Sequence, residues 1–285
     1  MQEFSKDFPY LDIKELIEYY AVFDGYKMRE KLHNYENILQ NIEENILKKY
    51  DKLKQEFIYD KNQKDIEKLL FRIAVGNRKI YSIYKGDISH FHGLSLYKTL
   101  FSRGVINKEI SREKPIRSTR VRQIKKELRK YQIEDKIKFT YGFYRFWFTF
   151  IAPNKSLIEN NKLDEVMLKI EKGLDKYVSL TFEELSNRLI CKRDVVDFGS
   201  YWDRNIELDV LAKTTEGLII AGECKWKNQK ISKNVLGKLQ KKCLLANFKV
   251  DCFALFSKNG FSNELLKNRE KNVLLYDINS FKGLI

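Results

Sequence analysis

Three residues in the last third of the chain have the types and spacing that phosphoester chemistry needs: Asp209, then Glu223 and Lys225 as a Glu-x-Lys pair. Two carboxylates brought together can hold a hard dication such as Mg2+ or Mn2+, which favours oxygen ligands and keeps several of its waters. An ammonium group two residues from one of them could orient or deprotonate a metal-bound water aimed at phosphorus. Residue type alone decides nothing here. Charged residues make up 33% of the chain, so such combinations also arise by chance. An exposed hairpin with ordinary surface ion pairs would read the same way, and the surrounding elements have to decide.

Those elements are well marked. Asn205–Ala212 alternates, with Ile206, Leu208 and Val210 on one face and Glu207, Asp209 and Leu211 on the other, the pattern of a half-buried strand. After a turn at Lys213–Gly217, Leu218–Trp226 reads as an apolar strand. Period two then places Glu223 and Lys225 on one side and Cys224 on the other. Pairing Ala212 with Leu218 would set Asp209 diagonal to Glu223, with Cα atoms about 7–8 Å apart. Upstream, Thr181 and Glu184 have capping-box spacing and predict a helix start, with Phe182, Leu185 and Leu189 as its apolar face. Lys192–Phe198 reads as a strand ending at Gly199. Downstream, Ser232 can cap a helix in which Val235, Leu236, Leu239 and Cys243 share a face, and strands follow at Val250–Phe256 and Asn272–Ile278. Helix, three strands, helix and two further strands predict an α/β domain with a mixed sheet over residues 166–285.

The first part of the chain reads as helical. Over residues 1–64, Leu11, Ile13, Leu16 and Ile17, then Ile38, Ile42, Ile46 and Leu47, recur at helical spacing. No Gly or Pro interrupts Lys27–Val75, which predicts long helices or a helical hairpin, best read as a scaffold or dimerisation element. Residues 65–115 have the outline of a winged helix: a helix at Asp65–Val75, a break at Gly76–Arg78, further helix to Gly104, and an alternating ribbon, Val105–Ile110, closed by Pro115. In that reading Leu94–Arg103 is the recognition helix, carrying Ser95, Lys98, Ser102 and Arg103. Many small helical domains share this outline. The connector, 116–165, is first basic and then aromatic. Arg117, Arg120, Arg122, Lys125, Lys126, Arg129 and Lys130 could track a phosphate backbone or solvate a linker helix. The run Tyr141–Ile151 could stack bases, but packing between two domains is the expected use.

With these pieces in place the chain resembles the PD-(D/E)XK nuclease superfamily, whose shared core is α-β-β-β-α-β. The motif pieces are Glu207-Leu208-Asp209 and Gly222-Glu223-Cys224-Lys225-Trp226. More narrowly, the stretches at 146–154, 182–185 and 222–226 resemble the nuclease-like C-terminal region of archaeal-type ATPases, which follows a winged helix. The resemblance implies metal ligation by Asp209 and Glu223, a catalytic Lys225 and a further acidic residue on the leading helix. Glu183 is the choice, because Glu184 is the capping-box partner. No G-x-x-x-x-G-K-[ST] phosphate loop occurs, so an ATPase would be a separate partner. DNA is the expected substrate ahead of RNA, with a catalytically silent DNA-binding regulator as the alternative.

Composition bounds the rest. A net charge of +15 raises the local concentration of polyanions, nucleic acid first and an anionic membrane second, although a merely basic soluble protein would also carry it. The four cysteines form no C-x-x-C pair, and His33, His90 and His92 show no ligand pattern with carboxylates. A reducing, cytoplasmic setting is expected, since the N-terminus lacks a signal-peptide run and Phe139–Pro153 is too short to span a bilayer.

Overall fold

The structure is a computed structural model that describes residues 1–34, 37–59, 62–76, 78–80, 88–113, 133–267 and 270–285. Among them, β1 (Ile106–Glu109) and β2 (Lys136–Phe139) form an antiparallel ribbon. β3 (Val195–Trp202), β4 (Glu207–Thr214), β5 (Ile219–Lys225), β6 (Cys252–Ser257) and β7 (Val273–Tyr276) form a second sheet in that order. Its first three strands are antiparallel, while β5–β6 and β6–β7 are parallel. The longer helices are α1 (Ile13–Phe23), α2 (Gln63–Val75), α3 (His90–Ser102), α4 (Leu163–Cys191) and α5 (Lys233–Leu245). The run α4-β3-β4-β5-α5-β6 is the expected α-β-β-β-α-β order in a mixed sheet.

Both faces of this sheet are covered, which is why β5 up to Gly222 and β6 up to Phe256 are apolar rather than alternating. α4 lays Val178, Phe182 and Leu185 over Val210, Ala212, Ile220, Cys224 and Phe256. On the other face α5 brings Leu236, Leu239 and Cys243 against Leu208, Leu211, Ala221 and Leu255.

Thr181 does not start a helix. α4 runs unbroken from Leu163 to Cys191, and the buried Thr181 hydroxyl accepts from Arg145 Nη2 at 3.1 Å. The same nitrogen donates to the Tyr177 carbonyl at 2.9 Å. With Tyr177 and Val178 extending the apolar face one turn upstream, a break at Thr181 would discard buried surface. Gly199 likewise lies inside β3 rather than at its end.

The N-terminal region is helical but short-segmented, not built of long helices. Ile38–Ile42 passes directly into a π-helical stretch at Glu43–Leu47, and Tyr50–Leu53 follows as a separate single turn. Two buried asparagines lie in this stretch: Asn41 Nδ2 donates to Tyr19 Oη at 2.9 Å, and Asn45 Nδ2 to Asn41 Oδ1 at 3.3 Å. The segment follows the surface of α1 instead of its own period. α2 and α3 then precede the ribbon as the winged-helix outline requires. β1 lies within the alternating run Val105–Ile110, and its partner is β2, in the connector, where Ile137 and Phe139 are buried.

The aromatic run packs, as expected. Trp147 stacks on Phe57 at 4.4 Å between centroids, and Phe146 and Phe150 meet Tyr177 edge-on, each at 5.6 Å. Tyr177 Oη also lies 2.9 Å from the Ala21 carbonyl and 2.7 Å from that of Gly142, tying α4 to α1 and to the connector. No helix among the described residues is long and apolar enough to cross a membrane.

Candidate active site

Asp209 owes its position to an irregularity in β4. Gly199 pairs with Leu211 but Tyr201 with Leu208, so Ser200 alone faces both Asp209 and Val210. This is a β-bulge, a device that re-aims one side chain of a strand. It breaks the strict alternation read from the sequence: Ile206 and Leu208 pack with Leu211 toward α5, while Val210 and Ala212 pack toward α4. Two donors hold the bulge. The Asp209 carbonyl accepts from Asn187 Nδ2 at 2.8 Å and from Ser200 Oγ at 3.2 Å. Asn187 Nδ2 also reaches the Glu183 carbonyl one turn back on α4, at 3.1 Å.

On the other side, β4 pairs with β5 through Val210↔Gly222, Leu211↔Ala221 and Ala212↔Ile220. One further step sets Asp209 opposite Glu223. The register differs by two residues from the expected Ala212–Leu218 pairing, and an even slip leaves every side chain on its face. The pairing needs glycine at position 222. A Cβ there would stand 2.9 Å from Val210 Cβ and 3.2 Å from the Ala254 carbonyl.

The acids and lysines then converge. Asp209 Oδ2 accepts from the Cys224 amide at 2.8 Å. Glu223, 8% exposed, accepts from Lys225 Nζ at 2.7 Å through one oxygen and from Lys242 Nζ at 2.8 Å through the other. Burial pushes the Asp209 carboxyl up to about 7, with the Glu223 charge adding to it. Burial likewise pushes Glu183 up to about 8, and the Asp209 charge adds to that. Burial would raise Glu223 too, but its hydrogen bonds to the two lysines outweigh it and hold the carboxyl below its ordinary value. Burial alone would lower Lys225. The Glu223 carboxylate outweighs it and raises the ammonium above its ordinary value.

Asp209, Glu223, Lys225 and Glu183 are thus brought together as the sequence reading expects. Glu184 turns instead toward Lys138, 3.5 Å away, so the capping argument that selected Glu183 fails although the residue it selected is the one beside Asp209. Lys242 and Asn187 were not foreseen. Lys242 is one of four lysines on α5, and Asn187 one polar residue in a helix of many, so neither stands out by type or spacing. Lys98 and Arg103 are exposed on and just after α3, with Arg103 over the Tyr59 ring at 5.7 Å, and neither lines the cavities at the site. Arg117, Arg120, Arg122 and Lys125 lie outside the described residues. His92 is bonded to Asp65 at 3.0 Å, away from the acids.

Two cavities meet at Glu183. One, of about 470 Å3, lies between the β1–β2 ribbon and α4 and is lined by Lys108, Arg112, Lys138, Glu183, Asn187 and Ser200 among others. The second, of about 550 Å3, runs along α4 past the end of β5, with Asp175, Lys176, Lys225 and Lys227 on its walls. The donor set suits a hard dication. Its donors are carboxylate oxygens, while Cys224 and Cys243 are buried in the cores on either face of the sheet. Among the described residues, no group of three His, Cys, Asp or Glu side chains is placed to hold an ion together.

One family model matches. It describes archaea and bacterial proteins of unknown function (DUF234) and covers residues 147–236, a stretch that includes Glu183, Asn187, Ser200, Asp209, Glu223 and Lys225 but stops short of Lys242. No curated protein and no solved structure matches the chain.

Proposed function

We propose that the protein is a metal-dependent nuclease of the PD-(D/E)XK type, a DNA endonuclease hydrolysing phosphodiester bonds. The observation that carries the reading is the bulge-directed approach of Asp209 to Glu223, with Lys225 and Glu183 lining one cavity beside them. Nothing in packing requires two carboxylates on adjacent strands beside a third. Left alone they raise one another's proton affinity, at a cost to the fold. Asp209 and Glu223 would hold Mg2+ or Mn2+, which when bound neutralises charge on the phosphoryl group and makes water acidic. Lys225 supplies a fixed positive charge beside the reacting oxygens, where developing anionic charge is best stabilised. Glu183, whose carboxyl burial pushes up to about 8, stands where it could exchange a proton with the attacking water. The winged-helix outline and the excess of basic charge supply a DNA-binding surface, and an ATPase acting with this chain would be a separate protein.

A second reading, a DNA-binding regulator that keeps the nuclease fold, is favoured by one observation: both Glu223 oxygens already meet ammonium groups, so that charge is compensated within the protein. Cleavage of single- and double-stranded DNA and RNA, with Mg2+, with Mn2+ and with chelator, separates the two. The nuclease reading expects metal-dependent cutting that falls by about 10³-fold or more in Asp209→Ala and Lys225→Ala. DNA affinity should stay within about threefold. Binding without cutting under every condition would put the regulator ahead.

A further inference from the structure

The groove beside Glu183 is lined by more cationic groups than the reaction needs. It is floored by Glu183 and Lys225 and continues past Trp226 between Asp175, Lys176 and Ser179 of α4 and Lys227, Asn228 and Gln229 after β5. Its two acids and Lys225 are accounted for. Lys225 is held by Glu223, and Glu183 belongs to the site. Asp175 accepts from Lys258 Nζ at 2.7 Å and Trp226 Nε1 at 3.1 Å through one oxygen, and from Asn228 Nδ2 at 3.4 Å through the other. That leaves the exposed ammonium groups of Lys176 and Lys227, one on each wall, with no acidic partner among the described residues. The walls themselves are built in. Trp226 is buried against Phe182, 5.1 Å between centroids, with Lys258 Nζ 4.8 Å from its ring on the same residue. Asn228 is pinned through its side chain to Asp175 and through its carbonyl to Asn259 Nδ2 at 2.7 Å. An open groove that reaches Glu183 and offers an unpaired cation on each side suits a run of phosphates.

We infer that this groove is the binding track for a nucleic-acid strand, with Lys176 and Lys227 contacting phosphates that flank the one placed at Glu183 and Lys225. The assignment rests on the nuclease reading of that site and gives it a substrate path distinct from the exposed face of α3. Lys176 and Lys227 act on binding and touch none of the acids.

The test is fluorescence anisotropy with a labelled 20-nucleotide DNA, single-stranded and duplex, in chelator and over a range of KCl. It compares wild type, Lys176→Gln/Lys227→Gln, and a control pair, Lys249→Gln/Lys271→Gln, that removes the same charge from exposed positions outside the groove. A lysine–phosphate contact contributes about one unit to the slope of log affinity against log salt. The groove pair should lower that slope by about two and weaken binding about tenfold or more, while the control pair changes it only slightly. Equal losses in the two pairs, or no binding by wild type, overturn the track. Metal-dependent cutting is scored on the same samples. Groove-specific loss of binding with no cutting by wild type keeps the track and removes the nuclease, whereas cutting with equal losses does the reverse.

Discussion

At the scale of residues the site is a problem in charge. Asp209 and Glu183 titrate near 7 and 8, well above a free carboxyl, because both are largely withdrawn from water and face further negative charge. The folded protein therefore holds these protons more tightly than the unfolded chain does. Their contribution to stability is fully present below about pH 4 and is lost as pH rises through 7 and 8. In chelator, Asp209→Asn/Glu183→Gln should melt a few degrees above wild type at pH 8.5, about 1–2 kcal/mol, and close to it at pH 4.5. Differential scanning fluorimetry across pH reads this directly. An equal difference at both pH values would mean that the carboxyls are not mutually strained. The acid–lysine set was legible because strand period and motif spacing both point at it. Lys242 was not, since only the docking of α5 selects one of its several lysines for Glu223.

At the scale of elements, the helix–strand order was legible and the local breaks were not. Hydrophobic pattern located β4 and β5 because each buries one or both faces. It could not reveal that Ser200 faces two residues, since a bulge leaves composition unchanged and only shifts phase. The capping signal at Thr181 misled for a similar reason: a Thr followed three residues later by Glu looks the same whether its hydroxyl accepts from a helix N–H or, as here, from Arg145. The bulge is also where an element does the positioning. Asn187→Leu removes one donor to the Asp209 carbonyl and should cost only about 1–2 kcal/mol of stability. On the proposed nuclease reading, cleavage should fall about 10- to 100-fold, the range seen for residues that orient a metal ligand from behind. Hydrogen exchange at Val210 should speed up in the same variant. Unchanged exchange together with unchanged cleavage would remove Asn187 from the site.

At the scale of the whole molecule, one continuous core joins Phe4 and α1 through the aromatic connector to α4, the Cys224 face of β5 and Leu284. The boundaries drawn from composition at 64, 115 and 165 mark changes of surface character, and packing ignores them: Tyr177 belongs as much to α1 and Gly142 as to its own helix. Composition reports what each segment shows to water, whereas the shared core is made of residues that look alike in every segment. Cys224 lies between Glu223 and Lys225 with its thiol in that core, 6% exposed, and burial holds its pKa well above the ordinary value. Cys191, at the end of α4, is exposed. The chain thus carries a slow and a fast thiol whose alkylation can be timed against each other in one sample by peptide mass spectrometry. Cys191 should be labelled at once in native buffer and Cys224 at least about 10³-fold more slowly, at the rate at which the entire core opens. A substitution as remote as Tyr19→Ala should then hasten labelling of a thiol inside the Glu-x-Lys motif. Should it leave that rate alone, the strand holding the site opens independently of the helices that precede it.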